Sequence, residues 1–171
     1  GTDPELPYDD LAPLADMIGD ASFVGLGESV HTSGGFYEAK HRLLRWLVEE
    51  QRFRVLGMES PWVSADLVGN YVATGEGTAE EAMEGLYPVW EAESVLAMVE
   101  WMRAWNVAHP EDPVYFYGFD PMQPDVDGAA LIAFLDQVHD DPDSLIAGLE
   151  RCSGVGGRWF PVNADDHQAC L

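Results

Sequence analysis

The chain has 171 residues, 47% of them hydrophobic, which is enough for one domain with a sizeable core, and it carries 8 basic against 31 acidic residues for a formal net charge of -23. So acidic a surface repels phosphate backbones and anionic lipid, which argues against nucleic-acid and membrane-surface partners. No run approaches the roughly 20 apolar residues that span a bilayer, and Gly1–Pro7 has no basic region leading into an apolar stretch, so a cytoplasmic chain is expected.

Residues 8–19 place Leu11, Leu14, Ala15 and Ile18 on one face and predict a short helix ended by Gly19. Ser22–Leu26 is a short apolar run that reads as a buried strand, and the loop Gly25–Gly35 follows it. From Phe36 to Glu50 the apolar positions Phe36, Ala39, Leu43, Leu44 and Leu47 recur at helical spacing, with Glu38, Arg42, Arg45, Glu49 and Glu50 largely on the other side. Phe53–Glu59 predicts a second strand, stopped by Ser60-Pro61. Strand, helix and strand in this order predict a βαβ unit with parallel strands whose carboxyl ends share one edge.

Residues 62–109 read as a helical insertion, broken near Gly75 and Gly77 and again at Tyr87-Pro88, with a capping-box pattern at Thr78-Ala79-Glu80-Glu81. Pro113–Phe119 predicts a third strand that delivers Asp120, and residues 128–139 a further helix. Beyond Asp143 lie one more helical piece, a glycine-rich stretch at 154–157 and the start of another helix at Asn163. Cys152 and Cys170 show no metal-binding or redox spacing and read as small apolar residues. The expected architecture is one α/β domain over residues 1–171, with a mainly parallel central sheet, helices on both faces and the insertion walling a pocket.

The expected strands end in Glu28 and His31, in Glu59, and in Asp120, so ionisable groups converge on one sheet edge. One polar residue at a strand end is ordinary, since strand ends meet water; several carboxylates with a histidine are less so. Histidine, with an ordinary pKa of about 6.5, is the natural general base near neutral pH, and an adjacent carboxylate orients it and stabilises its charged form. Either Glu28 or Glu59 fits that second role. Lys40, the only lysine, lies a turn or two into the following helix, where its plain role is a solvated charge and its catalytic one the stabilisation of an oxyanion. A G-x-S-x-G elbow, a P-loop and an HExxH pattern are absent, and Gly25-Leu26-Gly27 makes only half of a dinucleotide fingerprint. Glu28, His31 and Glu59 would suit a metal. His41, His109, His139 and His167 have no ligand spacing and read as surface or capping residues.

Gly27-Glu28-Ser29-Val30-His31, then Phe36, Lys40-His41-Arg42, Leu47-Val48-Glu49-Glu50, Phe53 and Glu59-Ser60, resembles the erythromycin esterase family. So do Trp90 with Glu93, Trp101-Met102-Arg103 with Asn106, and Gly118-Phe119-Asp120 with Gln123, in order over residues 22–125. The resemblance implies a hydrolase that opens a macrolide lactone with histidine-activated water and no cofactor or required metal, and so a link to antibiotic resistance. It matches His31 to the catalytic histidine and Glu28 and Glu59 to essential glutamates, and it makes Trp90, Glu93, Asp120 and Gln123 candidates for binding a small-molecule ester. Lys40 falls where the macrolide esterases carry an arginine, which keeps the charge and loses the bidentate fork. Members of the family are longer and supply a further histidine from a C-terminal part, so this chain is expected to correspond to the N-terminal portion. Two rival readings remain: a metal-dependent hydrolase on the same scaffold, and a non-catalytic domain whose acidic pocket holds a cationic small molecule.

Overall fold

The computed structural model describes residues 1–31 and 33–139. The expectations for the helical and glycine-rich pieces after Asp143, for His167 and for the two cysteines lie outside the described residues. A 3-10 turn at Asp9–Leu11 leads into α1 (Ala12–Ile18), closed by Gly19 at φ +54°. Next comes α2 (Gly34–Glu49), then β1 (Val55–Pro61), α3 (Asp66–Thr74), α4 (Ala79–Met83), α5 (Glu93–Ala108), β2 (Tyr115–Asp120) and α6 (Pro124–Val138). The α/β class is as expected from the sequence. Thr78 caps α4 through the reciprocal bonds of a capping box with Glu81.

The sheet differs from the expectation. Among the described residues it has two strands, β1 and β2, paired in parallel from Val55 opposite Tyr115 to Met58 opposite Gly118, with Pro61 opposite Asp120 after an irregularity. Residues 22–26 form no regular element and pair with no strand, so the expected first βαβ unit does not form among the described residues. Phe23 is 84% exposed, while Val24 and Leu26 pack against the cluster of Leu11, Trp46 and Leu47. Side-chain burial on α2 thus takes the place of a backbone ladder. The helical stretch 62–109 runs from β1 to β2 as the crossover between the two parallel strands, a connection that antiparallel neighbours would not need.

Helices cover one face of this sheet. Phe116, Leu56 and Met58 join Val68, Val72, Val95, Val99, Met102 and Trp90 in the main core. Helix α3 lies directly on β2, since a Cβ at Gly69 would stand 2.9 Å from the Phe116 carbonyl oxygen and one at Gly118 only 2.7 Å from the Cβ of Ala65, the residue that caps α3. The opposite face, with Val55, Tyr115, Tyr117 and Phe119, is exposed, so the expectation of helices on both faces is not met among the described residues. Parallel sheets are ordinarily covered on both faces.

Two residues of α2 break the simple amphipathic reading. Arg42, expected on the polar side, is 3% exposed. It forks onto Asp10 at 2.5 and 3.0 Å and also donates to the carbonyls of Gly1 and Pro7, so the N-terminal segment lies across it. The Arg42 hydrogen bond holds the Asp10 carboxyl at about 2, below its usual range. His41, expected at the surface, is 5% exposed and 6.0 Å from Trp101. A helix sandwiched between the core and an N-terminal strap has more than one buried face.

Asn106 supplies a buried joint between elements. Its amide nitrogen donates to the carbonyls of Val72 at 3.0 Å and Val114 at 2.9 Å, and its oxygen accepts the Val114 N–H at 2.7 Å. Replacing Asn106 by Ala strands these backbone groups in the core, and a loss of about 2 kcal/mol is expected. Urea unfolding of the variant beside the parent checks this through a lower midpoint at an unchanged slope.

Candidate active site

The loop before α2 carries Glu28 and His31 three residues apart, and α2 places Tyr37 and Lys40 one above the other on a single face. The four meet around Trp90. His31 Nδ1 lies 2.6 Å from Glu28 Oε1, and Lys40 Nζ donates to Glu28 Oε2. The Glu28 side chain is 5% exposed, Lys40 25% and His31 48%, so the carboxylate lies deep and the imidazole reaches solvent. The Trp90 ring meets His31 edge-on at 5.3 Å and has the Lys40 ammonium over it at 5.8 Å. Trp90 is itself pinned, its Nε1–H donating to the Glu59 carbonyl at 2.7 Å and its ring packed on Tyr37 at 5.5 Å. Tyr37 in turn donates from its hydroxyl to the Val89 carbonyl at 2.9 Å.

The charge state follows from this geometry. Burial works to raise the Glu28 pKa, but the hydrogen bonds and charges of Lys40 and His31 outweigh it, and the net shift is downward. Glu28 is therefore an anion at neutral pH. An anionic acceptor on Nδ1 fixes the imidazole proton there and leaves Nε2 as the free base, facing away from the carboxylate. Glu28, not Glu59, is the carboxylate on His31. No hydrogen bond or ion pair joins the Glu59 carboxylate to His31 or Lys40 among the described residues, and the side chain is exposed.

The remaining candidates fall in separate places. Trp90 is 3% exposed and lies behind His31 and Lys40 as a wall. Glu93 is exposed in the first turn of α5, where a carboxylate suits the helix dipole. Asp120 ends β2, half-buried, and Gln123 Oε1 accepts the Ser64 hydroxyl at 2.5 Å just beyond the end of β1. Tyr37 is the functional neighbour that the sequence reading missed; its position three before Lys40 is the signal that marks it. Of the other histidines, His109 stacks on Trp105 at 3.8 Å at the end of α5.

The donor set fits a metal poorly. Both Glu28 oxygens and His31 Nδ1 are engaged, an ammonium already occupies the position a cation would take, and Glu59 is not in the group. Among the described residues no three His, Cys, Asp or Glu side chains group closely enough to hold a metal ion.

A helix-backed parallel strand pair, with a histidine held by a buried carboxylate in the loop before α2, defines an α/β protein. The chain belongs to the erythromycin esterase family, whose sequence signature matches residues 48–155. It is 30% identical over 137 residues to an erythromycin esterase type II of Escherichia coli, across 80% of this chain and 32% of that one. Among solved structures it superimposes on a succinoglycan biosynthesis protein at TM-score 0.70 and 30% identity, over 90% of this chain and 38% of the other. An erythromycin esterase mutant in its open conformation shares the fold at TM-score 0.65 and 20% identity, over 88% and 36% of the two chains. The chain thus spans about a third of the length of these relatives. No helix among the described residues is long and apolar enough to cross a membrane.

Proposed function

We propose that this chain carries the general-base half of an ester hydrolase, with a macrolide lactone as the first substrate to test and macrolide resistance as the consequence. The observation that carries the reading is the shared carboxylate: Glu28 holds His31 on one oxygen and Lys40 on the other. In the reaction, His31 Nε2 takes a proton from water as the water oxygen bonds to the ester carbonyl carbon. The carbonyl electrons move to oxygen, and Lys40, which has N–H donors beyond the one on Glu28, stabilises that oxyanion. Glu28 stabilises the imidazolium meanwhile. When the intermediate collapses, the carbon–oxygen bond to the alcohol breaks and His31 returns its proton to the departing alkoxide. From a lactone the product is a single hydroxy acid, one water heavier than the substrate, and the step uses no cofactor. The small-molecule ester is the only partner the mechanism requires.

Incubating the protein with a panel of macrolides and simple lactones and reading their masses tests this directly. A gain of one water on a macrolide supports the reading; unchanged masses across the panel, with the protein folded, overturn it in favour of a binding role. Lys40→Met removes the ammonium from both Glu28 and the oxyanion, and hydrolysis is expected to fall about 100-fold. Lys40→Arg keeps the charge and should retain most of the rate, as progress curves on the same lactone would show.

A further inference from the structure

A second polar cluster stands at the carboxyl ends of β1 and β2. The segment 60–64 organises it. Ser60 Oγ accepts the Tyr87 N–H at 3.1 Å, and the Asp120 carbonyl accepts the Trp62 N–H at 3.1 Å. Asp127, in the first turn of α6, accepts the Val63 N–H on Oδ1 at 3.4 Å. Asp127 is 4% exposed, yet its Oδ2 has no hydrogen bond, and the buried Tyr87 hydroxyl lies beside the Asp120 carboxylate. Neither Asp127 nor its neighbours Asp120 and Glu59 has an ion-pair partner among the described residues. The Tyr87 phenol is pushed up to about 12 by its burial and by the surrounding carboxylates of Asp120, Asp127 and Glu59, so it stays protonated at neutral pH.

A buried carboxylate oxygen without a partner is costly, and several carboxylates around one phenol compound the cost unless a cation joins them. We propose that this cluster is a subsite for a protonated amine, with Asp127 Oδ2 accepting the N–H at its depth and Asp120 and Glu59 drawing the cation in from the solvent side. An amine suits it better than a metal because no three carboxylates here come within one coordination sphere, whereas N–H···O contacts bridge longer separations. The subsite lies next to the proposed hydrolytic centre and rests on that reading only for which amine-bearing ester it would orient; binding itself does not require hydrolysis.

Trimethylammonium chloride and its neutral isostere tert-butanol, titrated separately into the isotopically labelled protein and followed at the Val63 and Asp127 amides, test the proposal. Saturable shifts with the ammonium and none with the alcohol are expected. Asp127→Asn, nearly isosteric and able to keep the Val63 bond, should weaken the ammonium by tenfold or more. Asp120→Asn, at a half-buried position ending β2, serves as the second variant if Asp127→Asn misfolds, and should also weaken binding. His31→Ala should bind as the parent does, which separates a failed amine site from a failed esterase. Equal response to the alcohol, no saturation, undiminished binding by Asp127→Asn or Asp120→Asn, or displacement of the ammonium by calcium chloride would each overturn the proposal.

Discussion

His31→Ala is expected to lower ester hydrolysis by about 100- to 10,000-fold, the usual worth of a positioned general base. The fold should survive it. His31 sits on a loop with its side chain 48% exposed, and its contacts are the Glu28 hydrogen bond and the edge of Trp90. Glu28 keeps Lys40 as a partner in the variant, so no buried charge is orphaned. Steady-state rates on one lactone, beside circular dichroism of both proteins, check the two halves of the expectation. A variant with more than a tenth of the parent's rate would sink the mechanism, because no other base is hydrogen-bonded to this centre among the described residues. Glu28→Gln makes the complementary case. It keeps the shape but takes the charge from both His31 and Lys40, so the rate should fall through a weaker base rather than through lost substrate binding.

Acidification should weaken the fold through His41 before most carboxylates are touched. Burial chiefly, with the Arg45 charge beside it, lowers the His41 pKa to about 4, against which Glu5 acts only weakly. Between that value and the ordinary 6.5 the unfolded chain binds a proton that the native chain does not, so stability falls as the pH drops through this window. A shift of this size corresponds to on the order of 3 kcal/mol between pH 7 and pH 4. His41 Nε2 has no partner in the folded protein, which means that protonation there gains no hydrogen bond in return. Urea midpoints of the parent and of His41→Leu, measured at both pH values, isolate the effect. The variant should lose less stability on acidification by about that amount; an identical loss in the two proteins would show that His41 is not held neutral by its burial.

Much of this molecule is legible in its sequence. Helical spacing marks α2 and α5, the capping-box pattern marks α4, and Gly19 closes α1 where the pattern says it should. The glycine-flanked loop marks Glu28 and His31 as candidate site residues, with the carboxylate partner of His31 left open between Glu28 and Glu59. The errors are of one kind. Ser22–Leu26 has a strand's composition, yet composition cannot say whether a neighbouring strand is present. Arg42 and His41 look polar by type and are buried by contact, with Asp10 and Pro7 on one side and Trp101 on the other.

The sequence by itself determined the helices and the two strands that pair, their order, the acidic surface and the loop that carries Glu28 and His31, because these depend on residues within one or two turns of each other. Only the tertiary structure decided that Glu28 rather than Glu59 holds His31, that Lys40 shares that carboxylate, that Trp90 stands behind both, and that Asp127 is left with an unsatisfied oxygen beside Tyr87. Each of these depends on where the crossover and α2 come to rest against each other. That is set by the packing of a shared core, in which residues far apart along the chain exclude water from the same volume.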